Sequence, residues 1–251
     1  MSEILGESPA ATLLVPHRYC GPPNSGNGGY TSGALAHLLG GQLGTPYTIT
    51  LRQPPPLETE MALHTNSGEL TATREGRVVI EGHEGGDLRT PPTFIRYGDA
   101  EAAQDHFFGH RFHPFPTCFT CGVERFDGLR IFPGMVDSAP DGSRQVAATW
   151  VPDVSVSENG STVSTEVTWA ALDCPGGWAT DLEERLLVLG RITARIDALP
   201  EVGAPLVVVG RTGPSQGRKS FASTALYDIK GQLLGQAEQV WIAVNPQDFG
   251  A

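Results

Sequence analysis

The chain has 251 residues, 39% of them hydrophobic, with 31 glycines, 20 prolines and a formal net charge of −11. That length fits one large domain or two small ones. The acidic balance argues against the concentrated basic face that nucleic acid requires, although a local basic pocket for an anionic ligand remains compatible with it. No apolar run approaches the roughly 18–20 residues that cross a bilayer. The opening M-S-E-I-L-G-E lacks a signal peptide's basic flank and apolar core, so a cytoplasmic location is expected. Four cysteines do not suggest a disulfide framework.

In chain order, residues 11–19 read as a short strand or strand entry, and 20–29, C-G-P-P-N-S-G-N-G-G, as a shaped loop. Residues 30–39 show helical spacing, with Leu35, Leu38 and Leu39 on one face and Gly40-Gly41 as the stop. Alternating runs at 47–51, 61–65, 70–74 and 78–81 predict an antiparallel meander, with turns at 66–68 and 75–76. Residues 97–108 predict a helical bridge, and 109–116 are irregular.

The second half repeats the plan. Strands are expected at 129–136 and 144–150, and a polar loop at 154–161. Val167, Ala170, Ala171, Cys174 and Trp178 then form one apolar helical face, interrupted by Asp173. A carboxylate in such a run must be paired, neutralised or used, because burying an unpaired charge is costly. Alternatively Asp173 caps a helix beginning at Cys174, and Pro175 kinks or restarts the helix there. Four β runs follow, at 186–196, 206–211, 220–227 and 233–244, with turns at 199–203, 213–217 and 228–231 and a bend allowed at Gly235. One helix and a meander, twice over, predict two units, 1–96 and 118–251, joined by a linker at 97–117.

Four segments resemble the hotdog-fold thioesterases of the small acyl-CoA type. They are C-F-T-C-G-V-E-R-F-D-G-L-R-I-F-P at 118–133, the helix W-A-A-L-D-C-P-G-G-W at 169–178, the strand and turn at 191–207, and the closing hairpin at 222–241. The first half resembles the same fold through N-S-G-N-G-G-Y at 24–30, where Asn27 stands in place of the family's His. The resemblance implies an α+β double hotdog: two antiparallel sheets, each wrapped around a central helix. It also implies that each half has lost what the other keeps. Gly28-Gly29 supplies the glycine turn, but the acid position of that half is Ala36; Asp173 supplies the acid, but the turn position of its half reads Ser164-Thr165-Glu166. One complete site shared between the halves is therefore expected.

Thioester hydrolysis needs a base or nucleophile, donors for the developing oxyanion, and an acyl cavity. The resemblance assigns Asp173 to the first role and the amides of Gly28 and Gly29, at a helix start, to the second. Asn24 or Asn27 would orient the water or carbonyl, or else simply form turns. Tyr30 would line the pocket or serve the core. Arg211, Arg218 and Lys219, with Arg191 a weaker choice, would hold a coenzyme A phosphate, or else form a solvated hairpin tip.

His110, His113, Cys118 and Cys121 carry ligand types for zinc. Their gap is shorter than zinc modules use, so a structural entry and no metal are expected. Cys174 reads as a buried apolar cysteine. No cofactor is expected beyond the coenzyme A of the substrate, nor any nucleic acid or membrane partner, and a homodimer of double hotdogs fits the pattern. Two alternatives stand beside the hydrolase: a non-catalytic acyl-CoA or lipid-binding hotdog protein, and a dehydratase or hydratase. The second would want a His where Trp178 stands.

Overall fold

The computed structural model describes residues 11–248, so the expectation for the first residues lies outside the described region. The first half comprises β1 (Thr12–Leu13), α1 (Gly28–Leu38), β2 (Pro46–Leu51), β3 (Met61–Asn66), β4 (Glu69–Arg74) and β5 (Arg77–Glu84). A second helix, α2 (Tyr97–Gln104), leads into β6 (Gly134–Val136), β7 (Gln145–Trp150), α3 (Thr165–Ala179), β8 (Leu187–Ile196), β9 (Leu206–Gln216), β10 (Lys219–Asp228) and β11 (Leu233–Ala243).

The expected separate sheets are one. All eleven strands join in the order β1-β3-β4-β5-β2-β8-β11-β10-β9-β7-β6. The halves meet where β2 pairs antiparallel with β8, Ile49 opposite Ile192 and Thr48 opposite Thr193, whose hydroxyls are 2.9 Å apart. Each strand would otherwise be an edge with unpaired backbone groups, and the pairing removes both edges at once.

Several boundaries differ from expectation for local reasons. Residues 129–133 are irregular rather than strand: Leu129 and Ile131 donate to the carbonyls of Phe119 and Thr120, and Arg130 takes a positive φ of 56°. Residues 11–19 contain a two-residue strand and a 3-10 turn, His17–Tyr19. β9 runs through the turn expected at 213–217, and the hairpin tip narrows to Gly217 and Arg218. A bulge falls beside Gly235, where Leu226 faces Gly235 and Tyr227 faces Leu233.

Helix α3 is apolar nearly all round and is buried from Val167 to Ala179, as a central helix must be. Ser164 caps it, its hydroxyl accepting from the Val167 amide at 3.4 Å. Asp173 therefore sits in mid-helix, not at a cap. The helix also runs unbroken through Pro175. Strand and loop side chains supply donors to carbonyls around the proline: Thr120 to Ala170 at 2.9 Å, and Thr224 and Gln239 to Leu172 at 2.8 and 2.6 Å.

Helices α1 and α3 pack antiparallel. A Cβ on Gly29 would lie 2.6 Å from the Asp173 Cβ and 2.7 Å from the Trp169 carbonyl, and one on Gly33 would lie 2.8 Å from the Glu166 Cα and the Trp169 Cβ. Glycines four apart present one flat helix face, and this is what lets the two helices touch. The sheet curves past the pair, α1 against β2, β5 and β8, and α3 against β7 to β11. On its other face lies a second apolar cluster. Leu206 and Val208 belong to the main core, whereas Val207 and Val209 pack with Ala100 of α2, Phe94 and Tyr227, as strand alternation requires.

Candidate active site

The loop 20–27 delivers α1 to the centre of the molecule. Asn27, 1% exposed, is its N-cap, and its Oδ1 accepts from the Tyr30 amide at 2.9 Å. Its Nδ2 donates to Thr120 Oγ1 at 3.3 Å and to Cys118 Sγ at 3.7 Å. One residue into the first turn, the Gly29 amide donates to Asp173 Oδ2 at 2.9 Å. The orphan donors and positive end of one helix thus meet a carboxylate in the middle of the other.

Asp173 is 3% exposed. Its Oδ1 has no hydrogen-bond partner among the described residues. Burial pushes its pKa up to about 7, against the downward pull of the Gly29 amide. One oxygen is thereby anchored, and the other is buried without a hydrogen-bond partner among the described residues, although the Asn27 side chain is near enough to add to the downward pull.

Asp173, Asn27 and Gly28 line a cavity of about 260 Å³. Its apolar wall includes Phe115, Trp178, Leu187, Leu189 and Trp241, and Arg52, Gln53 and Arg218 also line it. Arg52 is held by Glu81, with Nε to Oε1 at 2.9 Å, and Arg218 by the Ala243 carbonyl at 3.1 Å. The buried thiols of Cys118, Cys121 and Cys174 face the same space. Hydrogen bonds from the thiols of Cys121 and Cys174 hold Cys118 well below the usual thiol range. Burial pushes the Cys121 thiol up, and hydrogen bonds to Cys118 and Cys121, with burial, push the Cys174 thiol up.

The expected site residues divide sharply. Asp173, Asn27, Gly28 and Gly29 come together. Gly29 nonetheless serves helix contact and the Asp173 hydrogen bond, so its amide is not free to be an oxyanion donor. The Gly28 amide donates to no protein acceptor among the described residues. A Cβ there would lie 2.9 Å from the Leu189 side chain, so the glycine is required by the approach of β8. Asn24 is exposed in the loop and away from the cavity lining.

Tyr30 stacks on Tyr19, ring centroids 3.7 Å apart, and does not reach the cavity lining. Arg191 faces outward and bonds Thr50 Oγ1 at 2.9 Å; Arg211 reaches the Thr90 carbonyl at 3.1 Å; Lys219 is exposed at the start of β10. Of the four basic residues only Arg218, at the hairpin tip, lines the cavity; Arg191, Arg211 and Lys219 lie on strands, where side chains alternate faces. Arg52 was missed; its only local signal is its place before the P-P-P run that follows β2.

His110 and His113 are not assembled with the cysteines as ligands. The His113 ring bonds the Phe115 amide at 3.0 Å and the Cys121 carbonyl at 3.1 Å. His110 is exposed and meets the Gln104 carbonyl at 3.2 Å.

No family model and no curated protein matches the chain. Solved structures do. A conserved protein of unknown function with a hot dog fold from Alicyclobacillus acidocaldarius matches at 12% identity and TM-score 0.60, over 94% of this chain and 93% of that one. The tesB protein of Mycobacterium avium subspecies paratuberculosis matches at 12% identity and TM-score 0.58, over 93% and 91%. An acyl-CoA thioesterase II from Mycobacterium marinum matches at 10% identity and TM-score 0.55, over 88% and 90%. At such identities the likeness establishes the fold alone: the chain has the hotdog fold over most of its length.

Proposed function

We propose that the protein hydrolyses an acyl-CoA thioester in the cavity between the two helices, and that it is two hotdog units, 1–96 and 118–251, sharing this one site. The observation that carries the reading is the Asp173 carboxylate, anchored on one oxygen by the Gly29 amide at 2.9 Å and unpartnered on the other, in the wall of an apolar cavity. A fixed carboxylate with a raised pKa and one oxygen left without a protein partner is suited to accept a proton from water. The water oxygen then bonds to the carbonyl carbon, the oxyanion collapses, the carbon–sulfur bond breaks, and the proton passes to the departing thiolate. The Gly28 amide is the donor left for the oxyanion. Arg52 and Arg218 would receive a phosphate of coenzyme A. The thioesterase names among proteins of the same fold support this reaction class.

The test is a panel of acyl-CoA substrates read by thiol release. Asp173→Asn keeps the shape and is expected to lower turnover by about 10²–10⁴-fold with circular dichroism unchanged. Stoichiometric acyl-CoA binding with no turnover in the unaltered protein would favour the non-catalytic binder instead.

A further inference from the structure

Three buried thiols face the cavity beside Asp173, and the hydrolysis proposed above uses none of them. Cys118 and Cys121 come from the loop that follows α2; Cys174 comes from the middle of α3. Their sulfur atoms all lie within 4.8 Å of one another, and the Cys118 and Cys174 sulfurs are 3.7 Å apart. A disulfide would need about 2.05 Å. A tetrahedral zinc with bonds of about 2.3 Å to sulfur sets an S···S edge of about 3.8 Å, which the Cys118–Cys174 pair matches, and the third sulfur lies within 4.8 Å of both.

The loop is shaped to hold its pair. The Cys118 amide donates to the Phe115 carbonyl at 2.9 Å, and the Cys118 carbonyl accepts from the Gly122 amide at 2.8 Å. A Cβ on Gly122 would fall 2.5 Å from that carbonyl oxygen, so glycine is required where the turn closes. The buried amide of Asn27 donates to Cys118 Sγ at 3.7 Å, the kind of outer hydrogen bond that orients a thiolate ligand. The fourth position of a tetrahedral ion would open on the cavity, which all three cysteines line.

We propose that Cys118, Cys121 and Cys174 form a three-thiolate binding site for zinc(II), its fourth position open to the cavity. Binding displaces three thiol protons to solvent as three sulfur–zinc bonds form, with no change of oxidation state. This set is not the His110, His113, Cys118, Cys121 quartet considered from the sequence. The third ligand lies 56 positions after Cys118 and reaches it only through the fold. Zinc binding here does not depend on the thioesterase reading and is measured without any substrate.

The experiment uses the full chain, expressed with zinc present and purified without chelator. Elemental analysis is expected to return one zinc per chain. X-ray absorption at the zinc edge is expected to show a shell of three sulfurs at about 2.3 Å. Cys174→Ser is expected to lose stoichiometric zinc, and Cys20→Ser, a buried cysteine outside the trio, to keep it. Substoichiometric metal both as purified and after zinc reconstitution overturns the proposal. So does an absorption shell of nitrogen and oxygen only, or a Cys174→Ser protein that retains its full zinc. The absorption measurement is made on the unaltered protein, so the proposal stays decidable if the cysteine variants do not fold.

Discussion

The two helix starts are the molecule's most informative pair. At the start of α1, Gly28 lets β8 approach and Gly29 brings bare backbone to α3, and the seventh residue beyond Glu166 in the other half is the Asp173 that Gly29 meets. At the start of α3 the matching positions are Thr165 and Glu166, and the seventh residue beyond Gly29 is Ala36. The first junction borders a cavity of about 260 Å³. The second borders a void of about 10 Å³, walled by Ala36, Tyr47, Thr165, Trp169 and Ile196. Glu166 turns instead to His37, with Oε1 to Nδ1 at 3.2 Å. The halves share a plan, but one junction keeps a carboxylate with an unpartnered oxygen beside a cavity and the other is filled. Loss of one acid removes a reason to keep the second cleft empty, and aromatic side chains there contribute packing instead.

The largest effect expected is at the filled junction. Trp169 is 1% exposed and occupies the space between the helices beside the small void. Trp169→Ala should cost about 3–5 kcal/mol, read by denaturant titration. It should create no second class of acyl-CoA sites by calorimetry, since no acid faces the new space. A second class appearing would break the distinction between the junctions.

A smaller effect separates packing from chemistry at the open junction. Gly29→Ala and Gly33→Ala both place a methyl group against α3, at 2.6 and 2.8 Å from the nearest atoms. Each should cost about 1–3 kcal/mol through overpacking. Only Gly29→Ala lies on the amide that holds Asp173, so it alone should lower kcat in the folded protein. Equal losses of kcat in both variants would show that helix spacing, not the hydrogen bond, is what matters. Weaker still is the replacement contact of the second junction: Glu166→Gln alters a partly exposed carboxylate–imidazole contact and should change stability by no more than about 1 kcal/mol, leaving turnover intact.

What the sequence disclosed follows the same division. The lone acid in an apolar helix and the glycine turn both signal locally, and the resemblance paired them across the halves. Burial of Asp173 and its meeting with Gly29 follow from that pairing. Arg211 and Lys219 were grouped with Arg218 because charge clustering along a hairpin says nothing about which face each side chain takes, and only Arg218 lines the cavity. Arg52 was silent because its approach to the cavity is set by the β2–β8 join, a pairing between distant strands. The same join made one sheet of the expected two. Cys174 was read as core and is buried in it; its closeness to Cys118 and Cys121 was hidden because they arrive from a loop that only the tertiary fold brings near, and Asn24 and Tyr30 were drawn in by proximity to a motif whose Asn27 and Gly28 line the cavity.

Strand β11 offers a control for the idea that a raised carboxyl pKa alone marks a working acid. Gln239 and Trp241 face α3, so Glu238, one position before Gln239, faces the opposite side, near Arg89 and Arg211. Burial raises its pKa, and the two arginines pull the other way. Its folded value thus lies above its unfolded one. The stability it contributes is full below the ordinary carboxylate range and is lost as pH rises through the folded pKa. Glu238→Gln should therefore match or slightly exceed the unaltered protein in Tm at pH 8, and the gap should close toward pH 4. The thiol-release rate should not move at either pH, because this carboxyl has a shifted pKa but no cavity and no helix-start amide. A rate that falls with Glu238→Gln would mean that the outer face of the sheet takes part in the reaction, and the comparison of the two helix junctions would no longer be enough to locate the chemistry.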